Sequence, residues 1–205
     1  MTATEKARLW LGQDPLVFDT ETTGLGNSDE IVQIAVITVE GEPLLDTLVR
    51  PTRPIPAQVI RIHGITDADV RLAPTGAEVC AELARILDGR LVCSYSAPFD
   101  SRLLEQTAAA WQAPAASFRA ECVMRLYADY AAQWDARWAA ERGSRGANRW
   151  FNLGMAARQC GLGPFREHHA LSDARITAQI LRHVAGVGRP LQAAALRPAL
   201  PRWRT

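Results

Sequence analysis

Several features that mark particular classes of protein are scarce in this sequence. Its 23 lysine and arginine residues nearly balance 22 aspartate and glutamate residues, so the net charge of +1 gives no strongly basic field for nucleic acid. The four cysteines form no Cys-x-x-Cys pair, which argues against a zinc site or a disulfide framework. No stretch approaches the roughly 20 apolar residues of a membrane span, and the first residues lack the apolar run of a signal peptide. We therefore expect a cytoplasmic protein with no membrane partner.

Lysine is almost absent too. Lys6 is the only lysine among the 23 basic residues, which leaves 22 arginines. Arginine grips phosphate through a planar fork of donors, but the abundance of alanine favours codon usage in a GC-rich genome as the reason for most of them. The cysteines are expected to act as small apolar residues in a reducing compartment.

Length and pattern predict one α/β domain over residues 1–188. A chain of 205 residues with 48% hydrophobic content can bury one substantial core. Apolar runs and turn signals predict five strands, and helical spacing predicts helices packed against a mixed sheet. The strands are expected near residues 16–18, 31–39, 48–49, 91–93 and 119–122, and helices near 3–12, 76–88, 103–110 and 170–187. The tail, 189–205, carries prolines and arginines and remains open as a disordered segment, a docking segment or a strand-binding arm.

The first candidate site lies at the end of the first strand. Asp19 and Glu21 are two residues apart, so their side chains share one face of a strand. Two anions so close repel each other unless a cation lies between them or water solvates them. The pair alone therefore fits either a metal site or a solvated strand end.

A second candidate group lies near residue 170. Asp173 falls in the first turn of a predicted helix, where a negative charge suits the helix dipole. His168 lies five residues earlier and can approach Asp173 only from a loop that enters the helix. A loop histidine suits a proton carrier near pH 7, although an isolated histidine is commonly an ordinary surface residue. His169 is a competing candidate, and the five-residue spacing favours His168.

Two further segments lie between these groups. Asp100 is expected in the first turn of a helix that follows a short strand, where acidic residues are common for the helix dipole alone. His63, Gly64 and Ile65 form a short string that, by itself, we interpret as a turn before a helix containing Asp67.

These segments in this order resemble the three motifs of the DEDDh (DnaQ-like) 3′→5′ exonucleases, over about residues 16–187. The resembling strings are Phe-Asp-Thr-Glu-Thr-Thr-Gly at 18–24, Ala-Pro-Phe-Asp at 97–100 and His-His-Ala-Leu-Ser-Asp at 168–173. The sequence departs from the family where Tyr95 and Ser96 replace the usual His-Asn, which puts the hydrogen bonding around Asp100 in doubt. The resemblance implies a ribonuclease H-like fold.

The resemblance also implies the site. Asp19, Glu21, Asp100 and Asp173 would hold two divalent cations, Mg²⁺ or Mn²⁺, which suit hard oxygen ligands, and His168 would be the general base. By the same resemblance, the terminal nucleotide would contact a set of residues around the metals: Thr22, Gly24, Leu25, His63, Ile65 and Phe99. The apolar members of this set are equally typical of a hydrophobic core.

The implied reaction releases nucleoside 5′-monophosphates from a free 3′ end. DNA is the preferred substrate, because the pattern is similar to the proofreading subunit of DNA polymerase III and to exodeoxyribonuclease X. The alternatives are an RNA exonuclease similar to RNase T or oligoribonuclease, a polymerase or repair accessory module, and an inactive nucleic-acid binder. A polymerase or repair partner and a homodimer are both compatible with the sequence.

Residues 124–150 combine aromatic and basic side chains. Helical spacing favours core packing for four of the aromatic residues, which are Tyr127, Tyr130, Trp134 and Trp138. For the basic loop that follows, we offer the hypothesis that Arg145 and Arg149 contact phosphates of the substrate strand.

Overall fold

The protein is described by a computed structural model, which covers residues 1–134 and 151–187. The predicted basic loop with Arg145 and Arg149, the side chains of Trp134 and Trp138 and the tail at 189–205 lie outside what the structure describes.

Within this part of the chain, the sheet has five strands in the order β3-β2-β1-β4-β5. Only β2 runs opposite to the others, since it is antiparallel to β1 and β3, while β1, β4 and β5 are mutually parallel. The sheet is therefore mixed, as predicted. Its strands are β1 (Leu16–Thr22), β2 (Ile31–Thr38), β3 (Pro43–Leu48), β4 (Leu91–Ser94) and β5 (Arg119–Cys122).

Helices flank the sheet, in agreement with the predicted α/β class. Those in the described residues are α1 (Ala3–Leu11), α2 (Ala57–His63), α3 (Asp67–Val70), α4 (Gly76–Leu87), α5 (Ala97–Ala110), α6 (Val123–Trp134), α7 (Leu153–Gln159) and α8 (Ala170–Ala185). The last helix ends at Ala185 rather than 187, because Gly186 caps it with a φ of 68°. Residues 64–66 connect α2 to α3, which begins at Asp67 as predicted. His63 itself is the last residue of α2, which Gly64 caps with a φ of 79°.

The alternation of β1 divides the core between two layers. Val17 packs in a cluster with Leu171 and other residues of α8, α1 and α6, whereas Phe18 packs on the other face with Leu103 of α5 and residues of α4. Both strand residues are fully buried, and burial of such a side chain is worth about 1.5–3 kcal/mol. The two layers fix the first turns of α5 and α8 beside the carboxyl end of β1.

The cysteines are placed as expected of small apolar residues. The four cysteines are free, three of them buried and Cys160 half-buried. None of the helices in residues 1–134 and 151–187 combines the length and hydropathy that a bilayer crossing requires.

Candidate active site

A cavity of about 630 Å³ opens where β1 and β4 end. It is lined by all four predicted carboxylates and by His168, together with five of the six predicted nucleotide contacts: Thr22, Gly24, Leu25, His63 and Phe99. The sixth, Ile65, does not line the cavity and instead packs with Val32 and Ile55 in a separate apolar cluster. The arrangement unites residues from four distant parts of the chain: the end of β1, the end of α2, the start of α5 and the segment that enters α8.

The β1 pair projects from one face of the sheet. In the register with β2, Asp19 lies opposite Ala35 and Glu21 lies opposite Gln33. Glu21 is only 8% exposed, so its charge is largely removed from water. Thr20, between them, points to the other face, and its Oγ1 donates to Asp100 Oδ1 at 2.7 Å.

Asp100 lies in the first turn of α5, where two hydroxyl groups from the sheet donate hydrogen bonds to its carboxylate. Besides Thr20, the Ser94 hydroxyl donates to Asp100 Oδ2. The Tyr95 hydroxyl turns away and donates to the Phe151 carbonyl at 2.7 Å. The departure from the family at 95 and 96 therefore leaves Asp100 with two side-chain partners, one of them from the residue just before the altered pair. Sequence reasoning missed Ser94 and Thr20, since nothing in their local pattern distinguishes them from ordinary strand residues.

Asp173 has one oxygen paired and one unpaired. Its Oδ2 accepts a hydrogen bond from the His168 backbone N–H at 3.0 Å, while its buried Oδ1 has no hydrogen-bond partner within the described residues. A buried carboxylate oxygen without a partner is unusual, and a cation is one group that satisfies it. Ligand atoms of Glu21, His168 and Asp173 lie within 4.8 Å of one another. This donor set fits a divalent metal that prefers oxygen ligands.

The carboxylates perturb one another in the absence of a cation. Burial, followed by repulsion from Asp100, Asp173 and Glu21, holds the pKa of Asp19 well above its ordinary value. Burial and repulsion from Asp173 and Asp100 raise the pKa of Glu21 to about 8.

The other two carboxylates are perturbed less. Burial raises the pKa of Asp100 to about 6, with the hydrogen bonds from Ser94 and Thr20 acting in the opposite direction. Burial also raises the pKa of Asp173 to about 7, against the hydrogen bond from the His168 backbone. Clustered acids with raised pKa values are typical of functional sites.

Three histidines near the cavity differ in their surroundings. His168 is exposed in the loop before α8, as predicted, and its backbone has a φ of 60°. His63 is buried, which lowers its pKa, and its Nδ1 accepts the Ile65 backbone N–H at 3.0 Å. Burial likewise lowers the pKa of His169. His168 is therefore the histidine best placed to exchange a proton with solvent.

The rim of the cavity is a tight loop after β1. Leu25 at its tip is 78% exposed. The Asp29 carboxylate accepts hydrogen bonds from Thr23 Oγ1 at 2.8 Å and from the Gly26 N–H at 2.6 Å. A Cβ at Gly24 would lie 2.6 Å from Asp29 Oδ2, so any other residue there would displace the Asp29 carboxylate.

Helix α5 braces the same loop from outside. Arg102 donates to the Gly26 carbonyl at 2.9 Å and to the Leu25 carbonyl at 3.2 Å. Gln106 donates to the Gly26 carbonyl at 3.0 Å and to the Asp29 carbonyl at 2.9 Å. The loop is thus fixed before any ligand binds. The positions of Arg102 and Gln106, one helical turn apart on α5, could have suggested a shared contact but not its partner.

The α/β fold surrounds a cavity that is lined by four carboxylates. The sequence matches the family model described as Exonuclease (RNase T type) over residues 16–181, and the chain therefore belongs to this exonuclease family.

Particular relatives agree with this class. An uncharacterized exonuclease, CP81, of Escherichia phage 186 is 37% identical over 194 residues, which cover 91% of this chain and 96% of that protein. A PolC-type DNA polymerase III of Thermotoga maritima is 32% identical over 176 residues. That match covers 80% of this chain but 11% of the polymerase, so the chain corresponds to a small part of it.

Solved structures share the fold. Exonuclease X in complex with 5′ overhanging duplex DNA is 24% identical, with a TM-score of 0.58 over 89% of this chain and 99% of that chain. The nuclease domain of 3′hExo, a DEDDh family member bound to rAMP, is 16% identical, with a TM-score of 0.61 over 90% of this chain and 95% of that chain. The predicted family, fold class and exonuclease class are thereby confirmed. The roles assigned to individual residues stay predictions.

Proposed function

We propose that this protein is a metal-dependent 3′→5′ exonuclease that releases nucleoside 5′-monophosphates. The observation that carries the proposal is the meeting of four carboxylates, from β1, α5 and α8, in one cavity where burial and repulsion raise their pKa values. Ionised carboxylates so close together destabilise the folded protein unless a cation lies between them. Hydrolysis of a phosphodiester by two metal ions uses this type of site.

The four carboxylates would hold two Mg²⁺ or Mn²⁺ ions, as the family resemblance implies for Asp19, Glu21, Asp100 and Asp173. When bound, the ions would supply Lewis-acid stabilisation of negative charge on the reacting phosphate. The unpaired Asp173 Oδ1 offers a ligand atom that makes no competing hydrogen bond within the described residues.

His168 would accept a proton from the attacking water. The water oxygen forms a bond to phosphorus, the bond between phosphorus and the 3′ oxygen of the preceding nucleotide breaks, and that 3′ oxygen takes a proton from solvent. The product therefore leaves with its phosphate on the 5′ position. Because the His168 ring lies on an exposed loop, it can release its proton to solvent.

We propose DNA as the preferred substrate. Exonuclease X, which matches this chain over 99% of its own length, was solved in complex with duplex DNA, and the Thermotoga relative is a DNA polymerase. RNA is the second candidate, because the 3′hExo nuclease domain is bound to rAMP. Exposed apolar side chains beside the carboxylates, Leu25 and Ile62, offer a surface for a base of either polymer.

The proposal is tested by product analysis. Matched DNA and RNA oligonucleotides, each labelled at the 5′ end, are incubated with Mn²⁺ or Mg²⁺, and the products are separated by length and by mononucleotide chromatography. We expect stepwise shortening from the 3′ end, release of 5′-monophosphates, and faster loss of DNA than of RNA.

Two variants control this experiment. Asp19→Ala should abolish cleavage and leave the circular dichroism spectrum unchanged, whereas Asp46→Asn on β3, an acid that does not line the cavity, should cleave normally. Undiminished cleavage by the Asp19 variant would overturn the proposed site, and faster cleavage of RNA would reverse the proposed substrate preference.

A further inference from the structure

The buried side-chain amide of Gln33 joins the sheet to the turn that follows His168. Gln33 lies on β2 directly opposite Glu21, so the two side chains share the face of the sheet that carries Asp19. It is only 6% exposed, and a buried amide needs hydrogen-bond partners to offset its removal from water. It does not line the cavity, so it is not placed to contact substrate.

Its partners lie across the site, where α8 begins. Gln33 Oε1 accepts the backbone N–H of Ala170 at 3.2 Å, a bond that is buried. Because a backbone N–H can only donate, it identifies the accepting atom as oxygen and the other side-chain atom as the amide nitrogen. That nitrogen lies 3.5 Å from His169 Nε2. Gln33 therefore contacts two consecutive residues of the same turn.

This turn carries two members of the proposed site. His168 precedes the two contacted residues, and Asp173 follows in the first turn of α8. The φ of 60° at His168 is in the left-handed region, which costs about 1–2 kcal/mol for a residue with a Cβ. Since the His168 side chain is exposed, packing does little to hold that conformation. The hydrogen bond from its N–H to Asp173 and the contacts of Gln33 with His169 and Ala170 restrain the turn, together with the burial of Ala170 in the core.

We propose that Gln33 is a positioning residue for this reaction: it ties the His168–Ala170 turn to the strand that faces Asp19 and Glu21. The inference rests on the proposed exonuclease function. It adds a residue that the motif pattern did not single out, placed between the two halves of the site. Loss of the tie leaves α8 packed on the sheet through Leu171, but removes the side-chain contacts that hold the His168–Ala170 turn to β2.

The expected consequence is a loss of rate rather than of substrate binding. A displacement of about 1 Å in a catalytic group can cost roughly 100-fold in rate. Gln33→Met keeps the length of the side chain and removes both hydrogen-bonding groups. We expect its kcat to fall by about 10- to 100-fold, with the KM for a single-stranded oligonucleotide within about twofold of the unaltered protein.

A rescue variant separates the effect of the hydrogen bond to Ala170 from the effect of side-chain packing at position 33. Gln33→Glu retains an oxygen acceptor for the Ala170 N–H, so at saturating Mn²⁺ its kcat should exceed that of Gln33→Met by at least about fivefold. Gln179→Met is the matched control, because it makes the same chemical change at another buried glutamine, on α8, that does not line the cavity. It should keep its kcat within about twofold.

A measurement without metal or substrate completes the test. Amide hydrogen exchange at Ala170 in metal-free protein should be about tenfold faster or more in Gln33→Met, and unchanged in Gln179→Met. If Gln33→Met does not fold, Gln33→Asn, whose shorter amide cannot reach Ala170, takes its place with the same expected losses.

The outcomes distinguish the two proposals. If the unaltered protein releases no nucleotide, the proposed function fails, and the exchange rate at Ala170 alone decides whether Gln33 holds the turn. If the unaltered protein is active, a folded Gln33→Met with normal kcat would overturn the role of Gln33. Unchanged protection of Ala170 in Gln33→Met would also overturn it.

Discussion

The sharpest consequence of the acidic cluster is a link between metal, pH and stability. In metal-free protein, the pKa of Glu21 is raised to about 8 and that of Asp173 to about 7. Ordinary values are about 4.3 for Glu and 3.9 for Asp, and these apply to the unfolded chain. Below pH 4 both states hold the protons, so these groups cost the folded state nothing.

Stability is then lost as the pH rises. Between about pH 4 and the raised pKa values, the unfolded chain has released protons that the folded chain keeps, so each pH unit removes up to about 1.4 kcal/mol for each such group. A bound cation relieves this cost at high pH, whereas protons compete with it at low pH.

The size of the metal effect can be estimated. Metal at 100 times its Kd stabilises the folded state by about 2.7 kcal/mol for one site. For a chain of this size, 1 kcal/mol corresponds to about 2–4 °C in Tm. We therefore expect Mn²⁺ to raise Tm by about 5–10 °C at pH 8 and by no more than about 2 °C at pH 5.

The assay is thermal unfolding of protein stripped with EDTA, with and without Mn²⁺, at pH 5, 6, 7 and 8. Asp173→Asn should lose most of the increment at pH 8. Asp46→Asn is a useful control, because burial raises the pKa of Asp46 to about 6, yet it does not line the cavity. The reasoning would be refuted by an increment that is equal at pH 5 and pH 8, or that Asp173→Asn retains in full.

Two further predictions concern individual side chains. Replacement of His168 by Ala should lower kcat by about 10²–10⁴-fold, as expected for loss of a general base; an unchanged kcat in steady-state assays would contradict this role. Replacement of Arg102 by Ala should release the Leu25 loop and raise the KM for oligonucleotides by about three- to tenfold, with kcat within threefold. Initial-rate measurements check this against Arg85→Ala, which alters an exposed arginine on α4. An unchanged KM would show that the contact between Arg102 and the loop is dispensable.

Much of the fold follows from local sequence because its signals are strong. The β-branched run that became β2 and the apolar spacing of α8 specify their elements without tertiary information. The helix that ends at His63 was harder to predict from sequence. It has seven residues after Pro56, too few for a clear periodicity, and Gly64 is the only clear signal for its end.

The carboxylates of the candidate site were identified because each lies in a recognisable string. Their supports were not, since the hydroxyl of Ser94, the amide of Gln33 and the guanidinium of Arg102 act across 6, 137 and 76 residues of chain, respectively. Such contacts depend on the register of strands and helices, which local patterns do not encode. Ile65 shows the converse: the resemblance implied a contact with the nucleotide, but this residue packs with Val32 and Ile55 and does not line the cavity.

The central claim is that the carboxylates hold a pair of hard cations, and a crystal grown with Mn²⁺ tests it most directly. Anomalous scattering should reveal two manganese peaks about 3.5–4 Å apart among Asp19, Glu21, Asp100 and Asp173, with one of them contacting Asp173 Oδ1. A fully ordered cavity with no manganese peak at millimolar Mn²⁺ and pH 8 would contradict the account.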